Sequence, residues 1–174
     1  MPTPNLSITA NSFQHMDGSN LTIMGLDTKF NLPKGASVSA FTGIGTDFDN
    51  IRGVVDLKGA MPYKENSILS QNIRFRNNLT KDGCSTQIRY SPLTVSVPVS
   101  KDKTTNVYVN PHYVGKYDYN SGDYTHSAGV FAGASKKLNK NLSVAIEAQR
   151  YNLQDFKDNS GKNWSINSII SYKF

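Results

Sequence analysis

Hydrophobic and polar residues alternate along most of this chain, and the alternation is most regular in residues 142–174. There, apolar residues occupy every second position before and after a polar stretch at 155–162. A period of two places the two sets of side chains on opposite faces of a β-strand. The polar stretch is rich in Asp, Asn, Ser and Gly, which favour turns. The pattern therefore predicts a β-hairpin with one apolar and one polar face.

The same alternation recurs upstream and predicts about ten strands in up-and-down order, with eight as the alternative count because the fifth and sixth strands alternate least clearly. Short connections (NLPKG, PYKEN, SKDK and KKLNK) alternate with connections rich in Asp, Asn and Gly, which include Asp17-Gly18 and the hairpin turn Lys81-Asp82-Gly83. At Ser91-Pro92 the parity of the pattern slips, which predicts a β-bulge. We expect an all-β, antiparallel up-and-down barrel that forms a single domain over residues 1–174.

Composition agrees with a barrel whose strands have one polar face. Hydrophobic residues make up 37% and charged residues 18% of the chain, against about 45–50% and about 25% in a typical soluble domain. No run of about 18 apolar residues is present, which argues against a transmembrane helix. The single cysteine, Cys84, cannot form an internal disulfide, and no ligand spacing predicts a metal site. A net charge of +6 favours anionic partners.

The charged residues of the polar face are compatible with two kinds of barrel. In a soluble barrel they would face water, whereas in a membrane barrel they would point into the lumen. The apolar face is rich in Ala and Gly, which would leave voids in a protein core but pack readily against acyl chains. This favours a transmembrane barrel. The expected lumen-facing residues are Arg52, Asp56, Lys58, Arg74, Arg76, Arg89 and Glu147.

The other face carries aromatic residues at both ends of the last strand. Trp164 and Phe174 are ten positions apart on one parity, or about 25 Å along the axis of a tilted barrel, which is the height of the apolar band of membrane barrels. The expected lipid-facing set of this strand is Trp164, Ile166, Ile170, Tyr172 and Phe174.

The segment Lys136–Tyr151 and the ending WSINSIISYKF resemble small outer-membrane β-barrels of the OmpA/OmpX kind. The ending is similar to the signal that those proteins present to the barrel-assembly machinery, with a terminal Phe and apolar or aromatic residues at alternate positions: Phe174, Tyr172 and Ile170. Ser168 departs from that pattern. The resemblance implies a bacterial outer-membrane location and a mature form without its signal peptide. It implies the assembly machinery, outer-membrane lipids and lipopolysaccharide as partners, with no nucleic acid, and it implies no particular activity.

Catalytic candidates are weak. His126 and Ser127 are adjacent and so lie on opposite faces of a strand, whereas outer-membrane lipid-A deacylases use a His and a Ser two positions apart. Asp47 and Asp49 could pair in a loop, but outer-membrane proteases with such residues have far longer loops. His15 and His112 have no carboxylate at a spacing that suggests catalysis. Together these observations predict that the protein has no catalytic residue and no cofactor and is not an enzyme.

Three hypotheses follow. The leading one is a small outer-membrane barrel, structural or narrow and pore-like, with a charged and mainly basic lumen. The first alternative is a soluble meander barrel of the lipocalin sort that binds a small apolar ligand. The second is an outer-membrane lipid hydrolase, which would need two catalytic side chains on one lumen face.

Overall fold

A computed structural model describes residues 4–15, 20–46, 50–64, 67–80, 83–153 and 164–174. Within these ranges the chain forms ten antiparallel strands and one short 3-10 turn at Pro33–Gly35. The strands are β1 (Asn5–His15), β2 (Asn20–Asn31), β3 (Ser37–Thr46), β4 (Ile51–Pro62), β5 (Ile68–Thr80), β6 (Gly83–Pro98), β7 (Thr105–Asp118), β8 (Tyr124–Lys137), β9 (Leu142–Arg150) and β10 (Trp164–Lys173). The predicted all-β up-and-down barrel is confirmed, with ten strands and not the alternative eight.

Each strand pairs with its neighbours in sequence, and β1 pairs with β10 to close the barrel. In this closing ladder Thr9 lies opposite Lys173 and His15 opposite Asn167. The connections β2–β3, β4–β5, β6–β7 and β8–β9 meet at one end, which we call the short-turn end, together with the first and last strand residues. The opposite end is the loop end. The predicted turns at Asp17-Gly18 and 158–161 lie outside the described residues. So do Lys81 and Asp82 of the predicted turn Lys81-Asp82-Gly83, whose third residue is instead the first residue of β6.

Alternate residues of each strand form the outer and the inner surface of the barrel. Large hydrophobic side chains are exposed on the outside of the barrel, for example Leu6, Ile44 and Ile146 at 64%, 69% and 56%. The intervening residues of the same strands point inward. None of the described helical segments is long and apolar enough to cross a membrane.

The predicted bulge in β6 is confirmed. Ser70 of β5 lies opposite Thr94, whereas Asn72 lies opposite Ser91, so β6 carries one extra residue between these pairs. The ladder with β7 shifts over the same stretch, between Tyr90 and Val95. The extra residue moves the inward-facing parity of β6 from odd to even positions, which explains the parity slip in the sequence.

Apolar side chains fill part of the interior at the loop end. Leu21, Ile23 and Val54 are buried there, and Phe13 and Phe41 pack against them. Leu21 and Ile23 are apolar but share the parity of the charged residues Asp27 and Lys29. The structure places all four on the inward parity.

The ring of Phe41 fits against the barrel wall because two facing residues are glycines. A Cβ at Gly25 or Gly43 would lie 2.6 or 2.7 Å from Phe41 Cζ. Glycine paired with a large inward side chain is a recurrent device for fitting bulk inside a curved sheet.

Candidate functional site

The barrel interior has a packed half and a hollow half. The largest buried inward side chains lie towards the loop end: Leu21, Ile23, Val54, His112, Val114, Phe131 and Gln149. Towards the short-turn end there are two cavities. The mouth cavity, of about 400 Å³, is lined by residues of the β8–β9 turn and by Lys173. The central cavity, of about 580 Å³, shares Thr9, Asp27 and Ser135 with it.

A third cavity, of about 240 Å³, lies within the packed half and holds most of the charged residues expected in the lumen. We call it the arginine cavity, because Arg52, Arg74, Arg76 and Arg89 line it together with Glu147. Arg74 and Arg76 also line the central cavity, as do the remaining two expected residues, Asp56 and Lys58. The register thus brings residues of β4, β5, β6 and β9 to one level of the barrel.

Arg74 and Asp56 form an ion pair across the β4–β5 ladder, where they lie directly opposite each other. Arg74 Nε donates to Asp56 Oδ2 at 2.7 Å, and Asn72 Nδ2 donates to the other carboxylate oxygen at 3.0 Å. On its other side Arg74 lies directly opposite Arg89. Like charges in this position repel and destabilise a sheet, so Asp56 offsets only part of the charge collected here.

Arg76 and Arg89 lack such a partner. Their Nε atoms are buried without a hydrogen bond, and among the described residues neither guanidinium forms an ion pair with a carboxylate. Glu147, the single carboxylate among the described lining residues of the arginine cavity, accepts a hydrogen bond from Tyr108 Oη at 2.9 Å. Four guanidinium groups therefore face one carboxylate, and the cavity is strongly basic.

An aromatic stack supports Arg89 from the barrel wall. The Arg89 guanidinium carbon lies 4.7 Å from the centre of the Phe131 ring, a cation–π distance. Phe131 in turn stacks on His112, with ring centres 4.4 Å apart. The guanidinium is thus held in place by a ring that leaves its hydrogen-bond donors unused.

His112 belongs to a buried polar contact that the sequence pattern did not indicate. Gln149 Nε2 lies 3.1 Å from His112 Nε2, and both side chains are almost wholly buried. Because an amide nitrogen donates, the ring accepts at Nε2 and donates from Nδ1 to the carbonyl of Asn110 at 3.4 Å. The contact bridges β7 and β9 over β8, where Gly129 leaves room: a Cβ there would lie 2.6 Å from His112 Nε2. That glycine is the sequence signal for it.

Among the described residues, the catalytic candidates do not come together. His126 faces outward and stacks on Tyr113 and Tyr124, with ring centres 5.9 and 6.1 Å apart. Ser127 faces inward, opposite Val114. Asp47, Asp49 and the side chain of His15 lie outside the described residues. Over the part of the chain that the structure describes, no group of three or more His, Cys, Asp or Glu side chains could hold a metal ion.

The outer surface carries aromatic side chains near both ends of the barrel. The expected lipid-facing residues of β10, together with Phe174, are all on the outside and between 40% and 64% exposed. Tyr172 and Phe174 pack edge to face at 4.8 Å, and Arg150 lies over the Trp164 ring at 5.1 Å. Exposed aromatic residues towards the loop end are Tyr113, Tyr117, Tyr119, Tyr124 and Trp164, and near the short-turn end Phe30, Tyr63, Tyr172 and Phe174.

A closed antiparallel barrel with an apolar exterior, aromatic residues at both ends and a charged interior has the architecture of transmembrane β-barrels. Solved structures agree on the fold. The barrel is similar to a loop L8 deletion mutant of OmpT, an outer membrane protein of Vibrio cholerae (12% identity, 91% of this chain and 56% of that chain, TM-score 0.52). It is similar to BamA from Haemophilus ducreyi lacking POTRA domains 1–3 (14% identity, 87% and 34%, TM-score 0.55). It is also similar to the NanC porin (12% identity, 96% and 100%, TM-score 0.53).

These similarities show the fold of outer-membrane β-barrels, as predicted, and at such low identity they show the fold alone. The chain spans between 56% and 64% of the length of the Vibrio cholerae OmpT structures that it matches. No protein-family model matches the chain, and no curated protein matches it in sequence.

Proposed function

We propose that the protein is a small barrel of the bacterial outer membrane, of the OmpA/OmpX kind, whose narrow and mainly basic lumen admits small anions. The observation that carries this proposal is the polarity of the two surfaces. Exposed large hydrophobic side chains cover the outside, while arginines and their few carboxylates lie inside. A lipocalin-like barrel needs the opposite arrangement, with its apolar residues around an interior ligand, and it would leave this large apolar surface in water.

The height of the apolar surface fits a bilayer. The outward-facing row of the last strand begins at Trp164 and ends at Phe174, the residue that follows β10. At about 3.3 Å per residue and a tilt of roughly 40°, these two residues are about 25 Å apart along the barrel axis. The outward row Trp164, Ile166, Ile170, Tyr172 and Phe174 would then contact lipid. Its last members would also form the signal read by the barrel-assembly machinery.

The charge of the lumen supports passage or retention of anions over cations. The arginine cavity carries four guanidinium groups and one carboxylate among its described lining residues. Lysines surround the mouth cavity as well: Lys136, Lys137, Lys140 and Lys173. Charge of one sign along a low-dielectric cleft concentrates counter-ions. Lipopolysaccharide and anionic phospholipids are the partners that this basic protein would meet in an outer membrane.

Two measurements test the proposal. The chain is refolded in detergent and run on a denaturing gel with and without boiling, and we expect a heat-dependent mobility shift together with β-rich circular dichroism. The refolded protein is then inserted into a planar bilayer under a KCl gradient, where we expect a reversal potential with the sign of anion selectivity. A folded protein that stays in solution without detergent would overturn the membrane assignment, and cation selectivity would overturn the anion assignment.

A further inference from the structure

We propose that the arginine cavity is a binding site for a phosphate-class oxyanion, held chiefly by Arg76 and Arg89. The inference deepens the proposed function, on which it rests for the orientation of the lumen, and it assigns to the lumen a site that retains an anion. Phosphate is the class that the side chains favour, because planar guanidinium groups donate paired hydrogen bonds to tetrahedral and planar oxyanions.

The first argument is the unused hydrogen-bonding capacity of the two arginines. Buried guanidinium groups are normally paired, because an unpaired buried charge is costly. The Nε–H groups of Arg76 and Arg89 are buried without a hydrogen bond, and among the described residues neither guanidinium forms an ion pair. Two guanidinium groups carry the charge that a phosphate dianion would neutralise.

The second argument is that the arginines are placed so close together that repulsion between their charges destabilises the folded barrel. Arg89 lies directly opposite Arg74 in the β5–β6 ladder. Arg52, Arg76 and Arg89 line the same cavity as Arg74, so that their like charges repel one another. Asp56 offsets part of this charge. Local arrangements that oppose folding are expected at functional sites, and a bound anion would offset more of the charge.

The third argument is access and size. The central cavity, of about 580 Å³, meets the arginine cavity at Arg74 and Arg76, and it leads to the mouth cavity at the short-turn end. The arginine cavity itself holds about 240 Å³, which accommodates a compact oxyanion but no large solute. A phosphate group would sit among the arginines, and a small substituent on it would extend into the central cavity.

The test is equilibrium dialysis of radiolabelled inorganic phosphate against the full chain refolded in detergent, at low ionic strength and above the second pKa of phosphate. We expect saturable binding with about one phosphate per barrel. Arg76→Gln should weaken it by about ten-fold or more, since it removes a charge-assisted hydrogen bond. Lys101→Gln, in the exposed β6–β7 turn, removes the same charge far from the cavity and should leave the affinity unchanged.

Glu147→Gln separates a binding role from a structural one. It removes the negative charge of the cavity while its amide oxygen still accepts from Tyr108, so it should tighten phosphate binding, opposite in sign to Arg76→Gln. Each variant is first checked for the heat-dependent gel shift of the folded barrel. Wild-type protein that binds no phosphate, or an Arg76→Gln variant that folds and binds as tightly as wild type, would overturn the site.

Failure of the site and failure of the proposed function give different results. If the barrel folds and is anion-selective but binds no phosphate saturably, the proposed binding site is refuted and the proposed anion-selective lumen is not. If the barrel binds phosphate saturably, and Arg76→Gln weakens and Glu147→Gln tightens that binding, but the barrel does not conduct, the binding site is supported and the pore function is refuted.

Discussion

Replacing Ile146 by arginine tests the position of the bilayer most directly. Ile146 points outward from β9 and is flanked by Ser168 of β10 and Ala134 of β8. Ser168 is next to the midpoint of the row that runs from Trp164 to Phe174, so Ile146 lies close to the centre of the apolar band. An arginine on the lipid face costs about 2–4 kcal/mol at the midplane of a membrane barrel.

Leu142→Arg is the matched substitution near the membrane surface. Leu142 lies on the same face of the same strand, opposite Tyr172 at the short-turn end. It is four residues from Ile146, or roughly 10 Å along the axis at about 3.3 Å per residue. At this depth the cost of arginine falls to about 0–1 kcal/mol. We therefore expect Ile146→Arg to be the more destabilising by about 2–3 kcal/mol.

The assay is urea-dependent folding into phospholipid vesicles, followed by gel mobility and by the fluorescence of Trp164. With a slope of about 1–3 kcal/mol per M urea, the midpoints of the two variants should differ by about 1 M or more. Ser143→Arg, which points into the mouth cavity, serves as the inward control and should fold. Equal midpoints for Ile146→Arg and Leu142→Arg would refute the bilayer argument, because in water both positions are merely exposed surface.

Three further predictions concern the lumen and one turn. Gly43→Ala should destabilise the barrel by about 1–3 kcal/mol, because its Cβ would lie 2.7 Å from both Met24 O and Phe41 Cζ; Gly53→Ala, with nothing within 4 Å, should be tolerated in the same urea titration. Asp56→Asn should shift the bilayer reversal potential further towards anion selectivity, because Arg74 loses its counter-charge; an unchanged potential would place Arg74 outside the ion path. Hydrogen bonds from Ser100 and Thr104 hold the pKa of Asp102 below its ordinary value, so its stabilising effect is present at neutral pH and is lost as pH falls through that lowered pKa. Asp102→Asn should accordingly reduce stability at neutral pH but not in strong acid, as measured by denaturant unfolding at both.

The sequence was sufficient for the faces of most strands but not for the contacts between them. The sequence predicts one face for Arg74 and Arg89, and both line the arginine cavity. That they are direct neighbours depends on the register of β5 and β6, which is constant from the Thr80–Gly83 pair to the Asn72–Ser91 pair and shifts only beyond them. A shift of one residue reverses every side chain, so parity alone predicts a face without predicting a partner.

The packed half of the lumen shows a second limit. Leu21 and Ile23 are apolar and inward, so they contradict a rule that assigns all apolar residues to the outside. His112 and Gln149 meet across an intervening strand and are 37 positions apart. Alternation contains no information about such a contact, although Gly129 marks the gap through which it is made.

The seam between β1 and β10 has a consequence for assembly. Its partners come from opposite ends of the chain, such as Thr9 and Lys173, and the backbone N–H of Phe174 donates to the Ile8 carbonyl at 3.0 Å. Until this ladder forms, two strand edges have backbone donors and acceptors with no partner, and hydrocarbon offers them none. Closing a loop of this length is also the slowest kind of contact to make. Membrane insertion and closure of the seam must therefore occur as one coupled event, or a second protein must pair with the open edges until the last strand arrives.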